Sequence, residues 1–437
     1  MNRVVVSRRS FLAGTAAGIA GGLASTHASA AAAPAPRPAA DHVILVDWDG
    51  FDPEFLTRAQ HPAVDALAAR GARGLATNTY STFSNSCRSS MSTGAYPEVH
   101  DNAGYYYDVV ADRAVSQNRD LEAETIAEAL ARQGRSVASV QWYMVQDHGT
   151  TYGDPSHLYV QPGGSFATTA RVAIDILNRR PVSSGGKQVT VPEVPAFMAV
   201  YGADLDGLVH QDGAESPRIG PLLESMDGNL ASLVQATRDV GIFDRTAFIL
   251  TGDLSMSTWE HSIIDAVLEA VEGLGLRPEV VVAGRRAAPE TEVVIVQGVR
   301  VATFVLRGAA ATPSARRKLR ANLAGIEHVS NVFDRNDLRR MRASGQARGP
   351  RGRGRGAVAL LGPGRRQATR LARQHRRVAH PADPGRERSP PRGSGERCRP
   401  RRRRADGRRA PRRHAPCRCA GTCAPPGPRR RSWRLSG

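Results

Sequence analysis

Apolar positions along the first 340 residues alternate between two periods. The run Val43-Ile44-Leu45-Val46 ends abruptly in Asp47-Trp48-Asp49-Gly50-Phe51-Asp52-Pro53. That pattern predicts a buried parallel strand that delivers acidic side chains to the carboxyl edge of an open sheet, where ligands bind. A helix follows over His61 to Arg70, with Val64, Leu67 and Ala68 on one face and Gly71 as its stop. Leu121 to Gln133 reads as a second amphipathic helix, closed by Gly134. The alternation continues with a strand over Ser136 to Trp142, a helix over Ala167 to Asn178 and a strand over Pro195 to Tyr201 leading to Asp204-Leu205-Asp206. A long helix over Ile219 to Val240, a strand over Arg245 to Leu250 leading to Thr251-Gly252-Asp253, a helix over Trp259 to Leu274 and short strands within Glu292 to Phe304 complete it. The expected fold class is α/β, a mostly parallel central sheet with helices on both faces. Asp49, Asp206 and Asp253, far apart in sequence, are expected to converge along one sheet edge.

Charge changes this picture only at the ends. The chain of 437 residues carries a formal net charge of +19, but Met341 to Gly437 holds 29 Arg, no Lys and 4 acids, a net of +25. Met1 to Arg340 is therefore mildly acidic at −6, with 31 basic and 37 acidic residues. The body, residues 41–340, reads as one catalytic domain, and no specific nucleic-acid partner is expected for it. The tail, 341–437, is rich in Arg, Pro, Gly and Ala, without helical or strand periodicity from Arg348 on. It is expected to be disordered, and its all-arginine basicity reads best as a GC-rich frame translated out of register. Cys87 is the body's one cysteine, so no internal disulfide framework supports it. Cys417, Cys419, Cys423 and His414 could be drawn as a zinc site, a reading the tail's composition disfavours.

At the other end, Ser7-Arg8-Arg9-Ser10-Phe11-Leu12, a weakly apolar Ala/Gly stretch and Ala28-Ser29-Ala30 read as a twin-arginine export signal over residues 1–30. Residues 31–40 read as a linker. The twin-arginine machinery is the expected partner and the exterior of the cytoplasm the expected location. The apolar run is too short and glycine-rich to span a membrane.

The candidate chemistry begins with Asp49 and Asp52. Carboxylate oxygens at a strand end suit a divalent cation; Asp49 is the expected ligand, Asp52 the expected helix cap, and Asp47 the nearby competitor. Tyr80 to Gly94 is hydroxyl-rich and leads into a short helix, with Arg88 one turn beyond Ser84. A hydroxyl for attack, carboxylates for a metal and an arginine for an oxyanion suggest attack on a phosphate or sulfate ester. Arg88 reads equally as a solvent-facing helix residue, and Thr82 is an alternative nucleophile. Cys87 is expected to pack rather than react. Asp206 and His210, four residues apart just past a strand, read as metal ligands. Tyr105, Tyr106, Tyr107, Trp142 and Tyr143 either line the substrate pocket or pack.

These segments resemble the alkaline phosphatase superfamily, and within it the type I phosphodiesterase/nucleotide pyrophosphatase branch. Asp49-Gly50-Phe51-Asp52-Pro53 is similar to that family's opening metal motif, and Ser92 to His100 resembles its T-G-x-x-P-x-x-H segment. The resemblance implies Ser84 as nucleophile, Asn102 as the residue holding phosphate oxygens, Asp206 and His210 as ligands of one metal, and Asp253 as a ligand of the other. It implies two divalent cations, zinc foremost, with Ser84 also a ligand, a small-molecule phosphate ester as substrate and a covalent phospho-serine. The chain departs from the pattern at three points. Leu254 stands where the family has His, Val209 where it has Gly, and no Gly-His-Gly segment supplies the last imidazole; His375 and His380 sit in the wrong setting. Weakened metal binding and impaired activity are therefore expected. Two alternatives accompany this reading: a sulfatase or phosphonate hydrolase of the same superfamily, and a catalytically silent relative or frameshifted product. Ser84 to Arg88 resembles the sulfatase signature, except that Ser86 stands where that signature has Pro or Ala.

Overall fold

A computed structural model of the chain describes residues 39–345 and the backbone of 357–361. The export signal, most of the linker and the cysteines of the tail lie outside the described residues.

The strands, in chain order, are β1 (His42–Trp48), β2 (Tyr106–Asp108), β3 (Arg113–Val115), β4 (Val137–Val140), β5 (Thr151–Tyr152), β6 (His157–Val160), β7 (Val182–Ser184), β8 (Lys187–Val189), β9 (Phe197–Gly202), β10 (Thr246–Thr251), β11 (Pro278–Val280), β12 (Val293–Gln297), β13 (Val301–Leu306), β14 (Asn331–Phe333) and β15 (Ala357–Leu361). The helices are α1 (Pro62–Arg70), α2 (Ser84–Thr93), α3 (Pro97–His100), α4 (Ile126–Arg132), α5 (Phe166–Leu177), α6 (Asp204–Asp212), α7 (Ile219–Asp239), α8 (Ile264–Glu272), α9 (Pro313–Ala324) and α10 (Arg335–Arg340). The central sheet has the order β10-β1-β9-β4-β6-β5, and its pairings are parallel. The expected α/β sheet with helices on both faces is therefore present.

Alternation along β1 sorts its side chains. Ile44, Val46 and Trp48 enter the large core with Ile176 of α5 and Leu223, Leu230 and Leu233 of α7. Leu45 faces the other way, into a smaller core with Val137, Trp142, Phe197 and Tyr201. The period of two carries Asp47 and Asp49 to that second face. β9 is buried along its whole length, whereas β10, at the sheet edge, is half-exposed. The helix expected from Leu121 begins only at Ile126, because a capping box sets its start: Glu128 N donates to Thr125 Oγ1 at 3.1 Å and Thr125 N donates to Glu128 Oε2 at 2.7 Å. The helix expected from Trp259 starts only at Ile264.

A second, mixed sheet of order β11-β12-β13-β15-β14 follows, built on Ile295, Phe304 and Leu306 against Val271 of α8 and Leu319 and Leu323 of α9. The sequence reading found only its short strands within Glu292 to Phe304. It also found no strand past Arg348, yet Ala357–Leu361 pairs antiparallel with both β13 and β14. Five apolar residues between glycines are enough for a strand when two others offer open edges. A chain ending at residue 345 should therefore melt at lower temperature than one ending at 365, with hydrogen exchange speeding up in β13 and β14; equal protection in the two would contradict the pairing.

Candidate active site

Three segments are stitched together where the parallel strands end. Asp47 stands level with Thr251 of β10 and Tyr201 of β9, and Asp49 N donates to Gly202 O at 2.8 Å. Asp206 N then donates to Asp49 O at 3.0 Å and Gly50 N to Asp253 Oδ1 at 3.1 Å. Gly50 turns the chain with φ of +72°, and a Cβ there would lie 3.1 Å from the Asp206 backbone, so a side chain fits neither the angle nor the space. Asp52 caps the short 3-10 turn Pro53–Arg58, accepting from Glu54 N at 2.8 Å, as expected.

Beneath this edge lies Arg88, with no exposed surface. Its Nε donates to Asp47 Oδ2 at 2.6 Å. Nη2 stands 3.1 Å from Asp49 Oδ2 and Nη1 3.1 Å from Asp253 Oδ2, both at ion-pair range without hydrogen-bond alignment. Nη1 also donates to Tyr143 Oη at 2.8 Å, and the guanidinium carbon sits 4.6 Å from the centre of the Tyr201 ring. Trp142 Nε1 donates to Asp47 Oδ2 at 3.0 Å and Tyr201 Oη to Asp49 Oδ2 at 2.6 Å. Three buried carboxylates thus close on one cation. Burial pushes the Asp253 carboxyl well above the usual range despite Arg88, with Asp49 and Asp47 adding to the rise; burial likewise raises Asp47. Burial works against Asp49 too, but the charge of Arg88 and its hydrogen bonds outweigh it and hold that carboxyl low. Arg88 stays charged because its carboxylates outweigh its burial.

Above the cluster a cavity of about 470 Å³ opens, lined by Ser84, Asp206, His210, Leu254, Arg300 and Trp259 among others. Ser84 is the first residue of α2, and Phe83 holds the cap position without a side-chain bond. His210 Nε2 lies 3.3 Å from Asp206 Oδ1 one turn along α6. Burial, with the charge of Asp49, pushes the Asp206 carboxyl up to about 6, against the pull of His210. Arg300 Nη1 donates to Ser257 Oγ at 2.5 Å, and burial lowers its pKa. Thr82, the alternative nucleophile, also lines the cavity.

Several expected residues are placed differently. Asn102 is buried, its amide donates to Asn118 O, Asn118 Oδ1 and Asp120 O at 3.1–3.2 Å, and its Oδ1 accepts from Gly104 N. It ties down a loop and does not line the cavity. Arg88 is neither a solvent-facing helix residue nor a cavity residue, since its guanidinium is spent on the carboxylates. Asp49 and Asp253 are brought together, but under the cavity floor. Trp142 and Tyr143 belong to the buried cluster, and Tyr105, Tyr106 and Tyr107 do not line the cavity. Cys87 packs, and burial pushes its thiol pKa up. Sequence reasoning missed Tyr201 and Arg300, and it ranked Asp47 below Asp49. The period of two along β1 signals Asp47; nothing local signals Arg300, which the turn between β12 and β13 of the second sheet delivers.

The donor set does not fit a two-metal centre. The position between Asp49 and Asp253 is taken by a guanidinium and lacks the imidazole that Leu254 replaces. Asp206 and His210 remain as a pair, and among the described residues no group of three or more His, Cys, Asp or Glu side chains is placed to hold a cation.

The parallel sheet gathers a helix-borne serine, an Asp–His pair and buried aspartates at its carboxyl edge, the arrangement that the resemblance to the alkaline phosphatase superfamily implies. The sequence profile described as type I phosphodiesterase / nucleotide pyrophosphatase matches residues 43–339. The chain belongs to this family of phosphoric ester hydrolases. Among solved structures, murine ectonucleotide pyrophosphatase / phosphodiesterase 5 is similar at 17% identity and a TM-score of 0.53, over 74% of this chain and 79% of that one. Phosphonoacetate hydrolase from Sinorhizobium meliloti 1021, in complex with phosphonoformate, gives 18%, a TM-score of 0.53 and coverages of 74% and 81%. Comparison with curated proteins finds no match. No helix among the described residues is long and apolar enough to cross a membrane.

The Asp206 shift has a consequence for stability. A folded-state pKa of about 6, above the ordinary 3.8, means that the contribution of this group is fully present below the ordinary value and lost as pH rises through about 6. Asp206→Asn removes that loss, so its melting temperature should gain on the wild type between pH 4 and pH 7. A difference that does not change with pH would contradict the burial of Asp206.

Proposed function

We propose that the cavity takes a small phosphate ester and that Ser84 attacks its phosphorus. The observation that carries this reading is the shared cavity: the Ser84 hydroxyl opens α2 in the same space that holds the Asp206–His210 pair and Arg300. The Oγ–phosphorus bond forms as the bond to the leaving alkoxide breaks. His210, oriented by Asp206, accepts the serine proton and returns it to the leaving oxygen. Arg300 supplies positive charge to the phosphoryl oxygens, which the start of α2 also favours. Water then attacks the phosphorus of the phospho-serine; His210 takes its proton and passes it to Ser84 Oγ as the Oγ–phosphorus bond breaks, and phosphate leaves, or a phosphate monoester when the substrate is a diester. No step depends on the aspartates under the floor. The twin-arginine pattern supports export of the folded enzyme.

A second reading, a relative that binds phosphate esters without turning them over, is favoured by one observation: Asp49 and Asp253 stand against Arg88 and do not line the cavity. Turnover of bis-p-nitrophenyl phosphate separates the two. The hydrolytic reading expects activity that Ser84→Ala abolishes and that His210→Ala lowers about 10²–10⁴-fold. Wild-type protein that binds the ester without cleaving it would establish the silent reading. Mass spectrometry should find Ser84 unmodified; formylglycine at 84 would make the protein a sulfatase instead.

A further inference from the structure

We infer that the guanidinium of Arg88 is a permanent, built-in cation at one of the two positions where the family places a metal ion, so that this chain excludes a metal there. The argument rests on geometry rather than on the catalytic reading. A divalent ion held by Asp49 and Asp253 needs oxygens of both, and Arg88 stands against one oxygen of each, with Nη2 3.1 Å from Asp49 Oδ2 and Nη1 3.1 Å from Asp253 Oδ2. The third edge of the guanidinium is anchored by Nε on Asp47 Oδ2 at 2.6 Å, and Trp142 holds that same oxygen from behind. Tyr143 accepts from Nη1, and Tyr201 covers the flat face while donating to Asp49.

The contacts with Asp47, Tyr143 and Tyr201 suit a guanidinium rather than a metal ion. A planar fork that presents five donors in fixed directions matches carboxylates edge-on, and aromatic faces favour a delocalised cation. The substitution at 254 agrees: Leu254 supplies no imidazole, and an imidazole is of no use beside a guanidinium. Asp47, which stands outside the family ligand set, has a role here as the anchor of Arg88. A metal entering this position would have to displace a fully buried, charged side chain from Asp47, Asp49 and Asp253.

The test counts metal. Full-length protein is used, in which Cys398→Ser, Cys417→Ser, Cys419→Ser and Cys423→Ser remove the tail thiols from every variant, wild type at 88 and 254 included. It is equilibrated with excess Zn²⁺, desalted and assayed for zinc per chain, and its melting temperature is compared in Zn²⁺ and in chelator. Wild type should retain at most one zinc. Leu254→His restores the family imidazole and should still retain at most one, because the position is filled. Arg88→Ala, which frees three carboxylates, should take up one more zinc than wild type and melt at a higher temperature in Zn²⁺ than in chelator. Two zincs in wild type or in Leu254→His would overturn the inference, as would a folded Arg88→Ala that takes up none. Should Arg88→Ala fail to fold, wild type and Leu254→His still decide. The zinc count reads the same way whether or not the protein hydrolyses an ester.

Discussion

A guanidinium stripped of water must find anions, and Arg88 finds three. Around it the lower half of the site is arranged: Asp47 and Asp49 from β1, Asp253 from the end of β10, Tyr201 from β9, and Trp142 and Tyr143 from the turn after β4. Removing one partner of a buried ion cluster typically costs about 3–5 kcal/mol, because the remaining charge is left uncompensated. The cluster therefore ties α2 to the carboxyl ends of three parallel strands, and α2 carries Ser84 at its first turn. The serine is placed where it is because Arg88, one turn further on, is held from below.

The sheet makes this possible by register. Asp47 pairs level with Thr251 and Tyr201, so the three strands end at one height. A slip of one residue in β1 would send Asp47 and Asp49 into the large core with Ile176 and Leu223 and bring Trp48 to the site. The cavity above is made differently. Its walls come from the Leu254 to Trp259 segment and from the turn between β12 and β13 in the second sheet, so its outer half depends on long-range packing.

That difference sets what the amino-acid sequence could disclose. The parallel strands were legible because each is an apolar run ending in an acid or glycine, and Asp49, Asp206 and Asp253 do converge. Ser84 was legible as the start of a hydroxyl-rich helix. The role of Arg88 was not, since helical spacing alone cannot say whether an arginine faces solvent or three aspartates on other elements. Asn102 was misplaced for a related reason: a side-chain amide satisfies buried carbonyls as readily as phosphate oxygens, and only the fold of residues 117–120 decides. Arg300 and β15 were invisible because both depend on a second sheet whose short strands carry little periodic signal.

The most direct measurement is a crystal structure of the full chain soaked in Zn²⁺, with anomalous scattering recorded at the zinc edge. The account predicts no anomalous density between Asp49 and Asp253, with the Arg88 guanidinium in that space bonded to Asp47. A zinc peak there, with Arg88 swung away from the three aspartates, would contradict it.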